Sequence, residues 1–188
     1  MAGLNVKLHK AQLEIFQDNH RFKVVAAGRR FGKSRLAAWT LLIKALMSQD
    51  KDVFYVAPTF QQAKDIAWAM LKELGTEVIV AAHENTGVLT LANGRKISLK
   101  GSDRPDTLRG VGLFYVVIDE YASMKPQVWE QIIRPALADV KGGAMFIGTP
   151  AGRNHFWDLY KYADEENDPE WAAFHYTSFD NPFIDPAE

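Results

Sequence analysis

The residues Ala27-Gly28-Arg29-Arg30-Phe31-Gly32-Lys33-Ser34 put backbone freedom, positive charge and a hydroxyl into one short stretch. That is the chemistry of a loop that holds the phosphates of a nucleoside triphosphate. A loop entering a helix aims unpaired backbone N–H groups at one spot, and the helix dipole favours an anion there. Gly32 lets the backbone approach a phosphate where a side chain would intrude. Lys33 would place a compact charge on the β- and γ-phosphates, and the Ser34 hydroxyl could ligate Mg²⁺. The signature asks for glycine at its first position, where this chain has Ala27, with Gly28 one residue later. The plainer alternative is a glycine-containing turn with an accidental Lys-Ser. The apolar run before it and the helical spacing after it favour the phosphate loop.

Hydrolysis also needs a carboxylate for the metal, a group to orient water, and a counter-charge. Asp119 and Glu120 follow the apolar run 113–118, at the C-terminal end of an expected central strand. That edge is where open α/β sheets bind ligands. Asp119 suits the metal, directly or through bound water, and Glu120 can orient the attacking water or accept its proton. The alternative is an acidic pair at a helix N-terminus, with dipole value only. Gly148-Thr149-Pro150 closes a further apolar run and would bring Thr149 to the same edge. Arg29 and Arg30 lie inside the loop, and Arg109 lies on the polar loop 101–110. An arginine can stabilise charge on a transferring phosphoryl group. Arg29 could do so in cis and Arg109 for a neighbouring subunit; Arg30, by elimination, anchors the loop or faces solvent. Gln12 precedes the loop on an expected helix. Its amide can meet both the donor and the acceptor edge of adenine, or simply face solvent.

These residues need a scaffold. Residues 22–27 read as a buried strand broken only by Lys23. Residues 33–48 read as the helix after it, with Leu36, Trp39, Leu42, Ile43 and Leu46 at helical spacing. A second strand is expected over 52–57 and a helix over about 60–74, with Ala63, Ile66, Ala67, Met70 and Leu71 on one face. This alternation predicts right-handed βαβ units and a parallel sheet. The period then changes: 77–81, 87–92 and 95–100 read as short strands. Asn93-Gly94 predicts a type I′ hairpin turn with positive φ at both central residues. Arg95, Lys96 and Lys100 make one strand basic; a charged edge strand is favoured over a polyanion or subunit contact. A strand at 113–118, a helix at 126–138, a strand at 144–147, a helix at 154–163, an acidic loop at 164–169 and a strand at 171–176 complete the reading. An N-terminal helix is expected over 4–20. Residues 177–188, with Asn181-Pro182 and Asp185-Pro186, read as an extended linker.

The totals narrow the classes. The 188 residues suggest one domain, and 47% hydrophobic with 24% charged residues is ordinary for a globular chain. No apolar run approaches the roughly 18 residues of a membrane span, and Met1 to Lys10 does not read as a signal peptide. The absence of cysteine removes disulfides, thiolate metal sites and a cysteine nucleophile. The five histidines are scattered and read as surface or satisfied core residues. A net charge of −1 means that any nucleic acid must be met by a local patch or a ring.

Taken in order, these motifs resemble the ATPase domain of large terminases, the DNA-packaging motors of tailed phages and herpesviruses. The loop Gly28 to Ser34 is similar to the family's arginine-bearing phosphate loop. Val116-Val117-Ile118-Asp119-Glu120 followed by Tyr121-Ala122 is similar to its acidic motif, Gly148-Thr149-Pro150 to its coupling motif, and Tyr55-Val56-Ala57-Pro58-Thr59 to a motif shared with helicases. Gln12 sits where the family has its adenine-reading glutamine, and Arg109-Gly110 where it has a trans-acting finger. The resemblance implies an α/β fold of the ASCE type of P-loop NTPase, with a mostly parallel sheet, helices on both faces and a β-hairpin insertion. It implies nucleotide contacts from Gln12, Gly28, Arg29, Arg30, Phe31, Gly32, Lys33, Ser34 and Arg35. Catalysis would fall to Lys33, Arg29, Arg109 and Glu120, metal binding to Ser34 and Asp119, and coupling to Thr149. It implies ATP and Mg²⁺ as cofactors, and double-stranded DNA, a portal protein, a small terminase subunit and a homo-pentameric ring as partners. No membrane is implied, and the setting is the host cytoplasm at the procapsid. Residues 1–176 would be the motor domain and 177–188 the start of a linker to a nuclease domain. No nuclease-type acidic cluster precedes Glu188, so DNA cleavage is not expected. The alternatives are a helicase-like translocase, whose second motor domain 188 residues cannot hold, and a non-hydrolysing nucleotide switch, which needs no Glu120.

Overall fold

The computed structural model describes residues 6–184. Residues 4 and 5 of the expected first helix, and Asp185-Pro186 with the rest of the expected linker's end, lie outside them. The strands are β1 (Phe22–Ala27), β2 (Asp52–Ala57), β3 (Ile79–His83), β4 (Val88–Leu91), β5 (Lys96–Gly101), β6 (Leu113–Asp119), β7 (Gly143–Gly148) and β8 (Trp171–Tyr176). They form one sheet in the order β3-β4-β5-β2-β6-β7-β1-β8. The run from β5 to β8 is parallel throughout, and β3-β4-β5 is an antiparallel extension. This is the mixed α/β architecture expected from the alternation of elements, with the hairpin strands added at one side.

Because successive side chains leave a strand on opposite faces, the parallel strands feed two cores. Val25, Ala27, Tyr55, Val117 and Ile147 pack under helices α1 (Lys10–Gln17) and α2 (Lys33–Met47) and the helical stretch 60–74. Val24, Ala26, Val56, Ile118 and Phe146 pack under the helical stretch 126–136 and the last helix, His155–Glu165. Both long stretches contain π-helical segments, at Lys64–Trp68 and Val128–Ile133. Among the described residues, burial of both sheet faces explains why the central strands read as continuous apolar runs.

Lys23, which breaks the first run, is 4% exposed. Its ammonium donates to the carbonyls of Ile15 and Asp18, at 2.8 and 2.5 Å, and so ties down the C-terminal end of α1. Burial lowers its pKa to about 8 against the opposing pull of Asp18.

Four local expectations are corrected. The first helix is confined to Lys10–Gln17, because His9 caps its N-terminus and Asp18 has left helical backbone geometry. The basic strand β5 is not an edge: it lies between β4 and β2, and the edges are β3 and β8. The Asn93-Gly94 turn is not type I′, since only Gly94 has positive φ, +82°. The Gly94 N–H bonds the Leu91 carbonyl, as in a type I turn followed by a left-handed glycine. Asn93 instead spends its amide on the carbonyls of Ala45 and Leu46 at the end of α2. Finally, the expected extended linker begins with a short 3₁₀ turn, Ser178–Asp180, closed by reciprocal hydrogen bonds between Thr177 and Asp180.

Candidate active site

Three adjacent parallel strands end at one level. Asp119 on β6 lies beside Ile147 on β7, and Gly148 lies beside Ala26 on β1. The chain then leaves these strands as the Glu120 turn, the Thr149 turn and the phosphate loop. The convergence read from the sequence is therefore a consequence of strand register.

The phosphate loop enters α2 through Gly32, whose φ of +93° would strain any side-chain-bearing residue. Lys33 Nζ donates to the Ala27 and Gly28 carbonyls at 2.7 and 2.9 Å and to Thr149 Oγ1 at 3.2 Å. Burial lowers the lysine pKa; Glu120 and then Asp119 raise it, and Arg29 lowers it. Lys33, Thr149 and both carboxylates thus share one electrostatic neighbourhood.

Asp119 is 4% exposed, and its Oδ2 accepts from the Tyr55 hydroxyl at 2.5 Å. Ser34 also acts on this tyrosine, favouring its ionised form against the burial and the Asp119 charge that raise its pKa. Burial pushes the Asp119 pKa up to about 6; the Tyr55 bond and the Lys33 charge work against that rise, and Glu120 adds to it. Glu120 follows in left-handed conformation, φ 53° and ψ 47°, and its N–H bonds the Ile147 carbonyl at 3.0 Å. A non-glycine residue held there is strain of the kind found at functional sites. The dipole-only reading loses its helix, because only the three-residue 3₁₀ turn Tyr121–Ser123 follows. His155, at the start of the last helix, bonds the Tyr121 carbonyl at 2.8 Å and braces this turn.

The other expected site residues separate by role. Phe31 is fully buried, stacked on Tyr176 at 5.1 Å and edge-on to His9, so its side chain anchors the loop. Arg29 is exposed. Arg30 has a left-handed backbone, φ 63°, and its carbonyl accepts from Asn181. Arg35 faces Glu73 at 3.4 Å across to the stretch 60–74. Gln12 is 4% exposed: its Oε1 accepts from the His9 N–H and its Nε2 donates to the Gly32 carbonyl at 3.0 Å. Arg109 is exposed beside Asp106, only three residues before Gly112, which meets Lys51 at the start of β2. It stands toward the opposite edge of the sheet from Lys33, and the structure does not bring it to the cluster. In the acidic stretch expected as a loop, the last helix runs on through Glu165, which pairs with Lys161, and Asp168 beyond it accepts from Tyr162.

Tyr55 is the site residue that sequence reasoning missed. It read as one position of a buried strand and of the helicase-like motif Tyr55 to Thr59, with no role at the site. The available signal was its polar tip: a tyrosine in a strand buried on both faces needs a partner. Tyr55→Phe keeps the packing and deletes the donor. Since that hydrogen bond lowers the Asp119 pKa, its loss raises it further. A metal held by this carboxylate, as the sequence leads one to expect, would have to compete with the proton, and nucleotide affinity in the presence of Mg²⁺ should then fall as pH drops through about 6. In Tyr55→Phe the fall should begin at higher pH. A nucleotide titration across pH checks this, and superimposable profiles would remove Tyr55 from the site.

The family described as terminase large subunit, T4likevirus-type, N-terminal, matches residues 24–187. The chain belongs to this family. The large terminase subunit of Escherichia phage T5 is 31% identical over 171 residues, covering 88% of this chain and 39% of that protein. That of Thermus virus P23-45 is 26% identical over 210 residues, covering 94% and 43%. The chain spans less than half the length of these curated relatives. The Thermus phage P74-26 large terminase ATPase domain superposes with a TM-score of 0.79 at 25% identity, covering 90% of this chain and 81% of that one. A large terminase from another thermophilic bacteriophage has a TM-score of 0.81 at 17% identity, covering 95% and 48%, and so shares the fold. The eight-stranded, mostly parallel sheet with flanking helices is thus the fold of large terminase ATPase domains.

Proposed function

We propose that this terminase-family chain is an ATP-hydrolysing motor domain that drives double-stranded DNA into a procapsid. One observation carries the reading: Lys33 Nζ reaches Thr149 Oγ1 at 3.2 Å while lying in the fields of Glu120 and Asp119. A single triphosphate seated on the loop would meet all of them. Family membership supports the packaging role, and the thermophilic bacteriophage terminase that shares the fold has been solved in complex with ADP and with ATP-gamma-S.

The residues divide the work. The N–H groups at the start of α2 and the Lys33 ammonium hold the β- and γ-phosphates. Lys33 then exchanges its bonds to the Ala27 and Gly28 carbonyls for phosphate oxygens. Glu120 orients water and accepts its proton. Asp119 and Ser34 offer a carboxylate and a hydroxyl, the hard oxygen donors that Mg²⁺ takes. The charge neutralisation that phosphoryl transfer needs from a divalent cation would come from Mg²⁺ held there. Thr149 bonds Lys33 on one side and continues into the turn before the last helix, so loss of the γ-phosphate is felt at that turn. Arg29, exposed at the loop, is the arginine placed to act in cis.

Arg109 stands away from its own site, so it serves a neighbour in a ring assembled with the portal protein and small terminase subunit. Phosphate release per subunit should therefore climb with protein concentration, and Arg109→Ala should abolish the climb with about 10³-fold lower assembled turnover. A concentration-independent rate, unchanged in Arg109→Ala, would contradict the trans role.

A further inference from the structure

Three consecutive carbonyls of the phosphate loop each accept a hydrogen bond from a side chain elsewhere in the chain. Asn181 Nδ2 donates to the Arg30 carbonyl at 2.7 Å. His9 Nε2 meets the Phe31 carbonyl at 3.0 Å, and Gln12 Nε2 the Gly32 carbonyl at 3.0 Å. The donors come from both ends of the described chain: His9 caps α1, Gln12 lies on its first turn, and Asn181 follows the turn after β8.

The consequence follows from peptide geometry. In a trans peptide the C=O and the next N–H point in opposite directions. Holding these carbonyls away from the site turns the following N–H groups the other way. The Phe31 N–H closes the loop on the Gly28 carbonyl at 3.4 Å. By the same geometry those of Gly32 and Lys33 turn away from His9 and Gln12, toward the side where phosphate oxygens would sit. The Gly32 carbonyl is held as well by the Leu36 N–H at 3.1 Å, so it is the Arg30 and Phe31 peptides, just before a glycine, that could otherwise flip at little cost.

We propose that His9, Gln12 and Asn181 are positioning residues that fix the peptide orientation of the phosphate loop, and so set its affinity for the phosphates of a nucleotide. This rests on the reading of the loop as a nucleotide site. Gln12 then acts on the loop itself, since both ends of its amide are engaged by His9 and Gly32. Asn181 extends the site into a stretch that resembles a linker. Ser178 reinforces it: a Cβ on Gly28 would lie 2.6 Å from Ser178 Oγ and 2.7 Å from Ser178 N, so the exit segment lies directly against the loop.

Two substitutions isolate the effect from folding. Asn181→Ala removes a donor on an exposed bond. His9→Asn keeps an oxygen to cap α1, where His9 Nδ1 now accepts from the Gln12 N–H at 3.4 Å, and asparagine is a good N-cap. It is too short to reach the Phe31 carbonyl. The experiment is calorimetric titration of wild type, both variants and the double variant with Mg-ADP and Mg-ATP, alongside melting curves and steady-state kinetics. Each single variant should weaken binding about fivefold, the effect of one lost hydrogen bond. KM should rise with kcat nearly unchanged, because the N–H groups hold ground state and transition state alike. The melting temperature of Asn181→Ala should match wild type. Binding by wild type with equal affinity in both single variants would overturn the proposal alone. No nucleotide binding by wild type would overturn it together with the reading of the site.

Discussion

Glu120→Gln should bind Mg-ATP with wild-type affinity and release phosphate about 10²–10⁴-fold more slowly, the range for loss of a general base. The change is nearly isosteric and leaves the turn intact, because what holds Glu120 is backbone: its N–H to Ile147, its carbonyl to Ser123. The side chain is partly exposed, while its neighbour Asp119 is buried against Tyr55. In the proposed mechanism the buried carboxylate is thereby held for the metal and the partly exposed one is left to meet water. Glutamine preserves size and hydrogen-bonding reach but cannot take a proton. A single-turnover phosphate-release assay with parallel ATP titration checks this. Unchanged turnover would remove Glu120 from its role, and lost binding would place it in nucleotide affinity instead.

Asp119→Asn should abolish hydrolysis and make the chain more stable. The sign follows from the pKa. Asp119 has a folded value of about 6 against an ordinary 3.8, mainly because burial disfavours its charge. The folded chain holds this proton more tightly than the unfolded chain, so the stability linked to it is greatest at low pH and is lost as pH rises through about 6. A shift of about two pH units corresponds to about 3 kcal/mol against the fold when the group is ionised. Asparagine is neutral at every pH, and its carbonyl still accepts from Tyr55. At pH 8 a gain of about 1–3 kcal/mol is expected, a rise in melting temperature of roughly 3–10 °C for a chain of this size. At pH 5 the gain should shrink to about half, because the unfolded chain is still ionised there, and it should vanish only below about pH 3.8. Calorimetry at the two pH values decides it. A variant less stable than wild type at pH 8, or equally stabilised at both, would contradict the account of Asp119.

Much of this was legible locally. The parallel strands β1 and β2 have the bounds read from their apolar runs, because central strands covered on both faces leave no room for polar alternation. The phosphate loop, the Asp119-Glu120 pair and Thr149 were legible because each follows such a strand directly. What was not legible depends on partners distant in sequence. Strand order decides whether β5 is an edge, and nothing in Arg95, Lys96 or Lys100 reports that β4 covers it. Asn93-Gly94 looked like a type I′ turn because the carbonyls at the end of α2, which Asn93 bonds, are more than forty residues earlier. Lys23 looked like an interruption until the last carbonyls of α1 were placed above it. Tyr55 and Asn181 stood only in a helicase-like motif and a linker, and His9 in no motif at all. Each acts through one hydrogen bond to a residue at least 22 positions away.

The most direct measurement is a structure of this chain with Mg²⁺ and a non-hydrolysable ATP analogue. Lys33 Nζ should have left the Ala27 and Gly28 carbonyls for the β- and γ-phosphate oxygens, with Asp119, Glu120 and Thr149 gathered around the γ-phosphate. A triphosphate bound elsewhere, with Lys33 still on those carbonyls, would contradict the account.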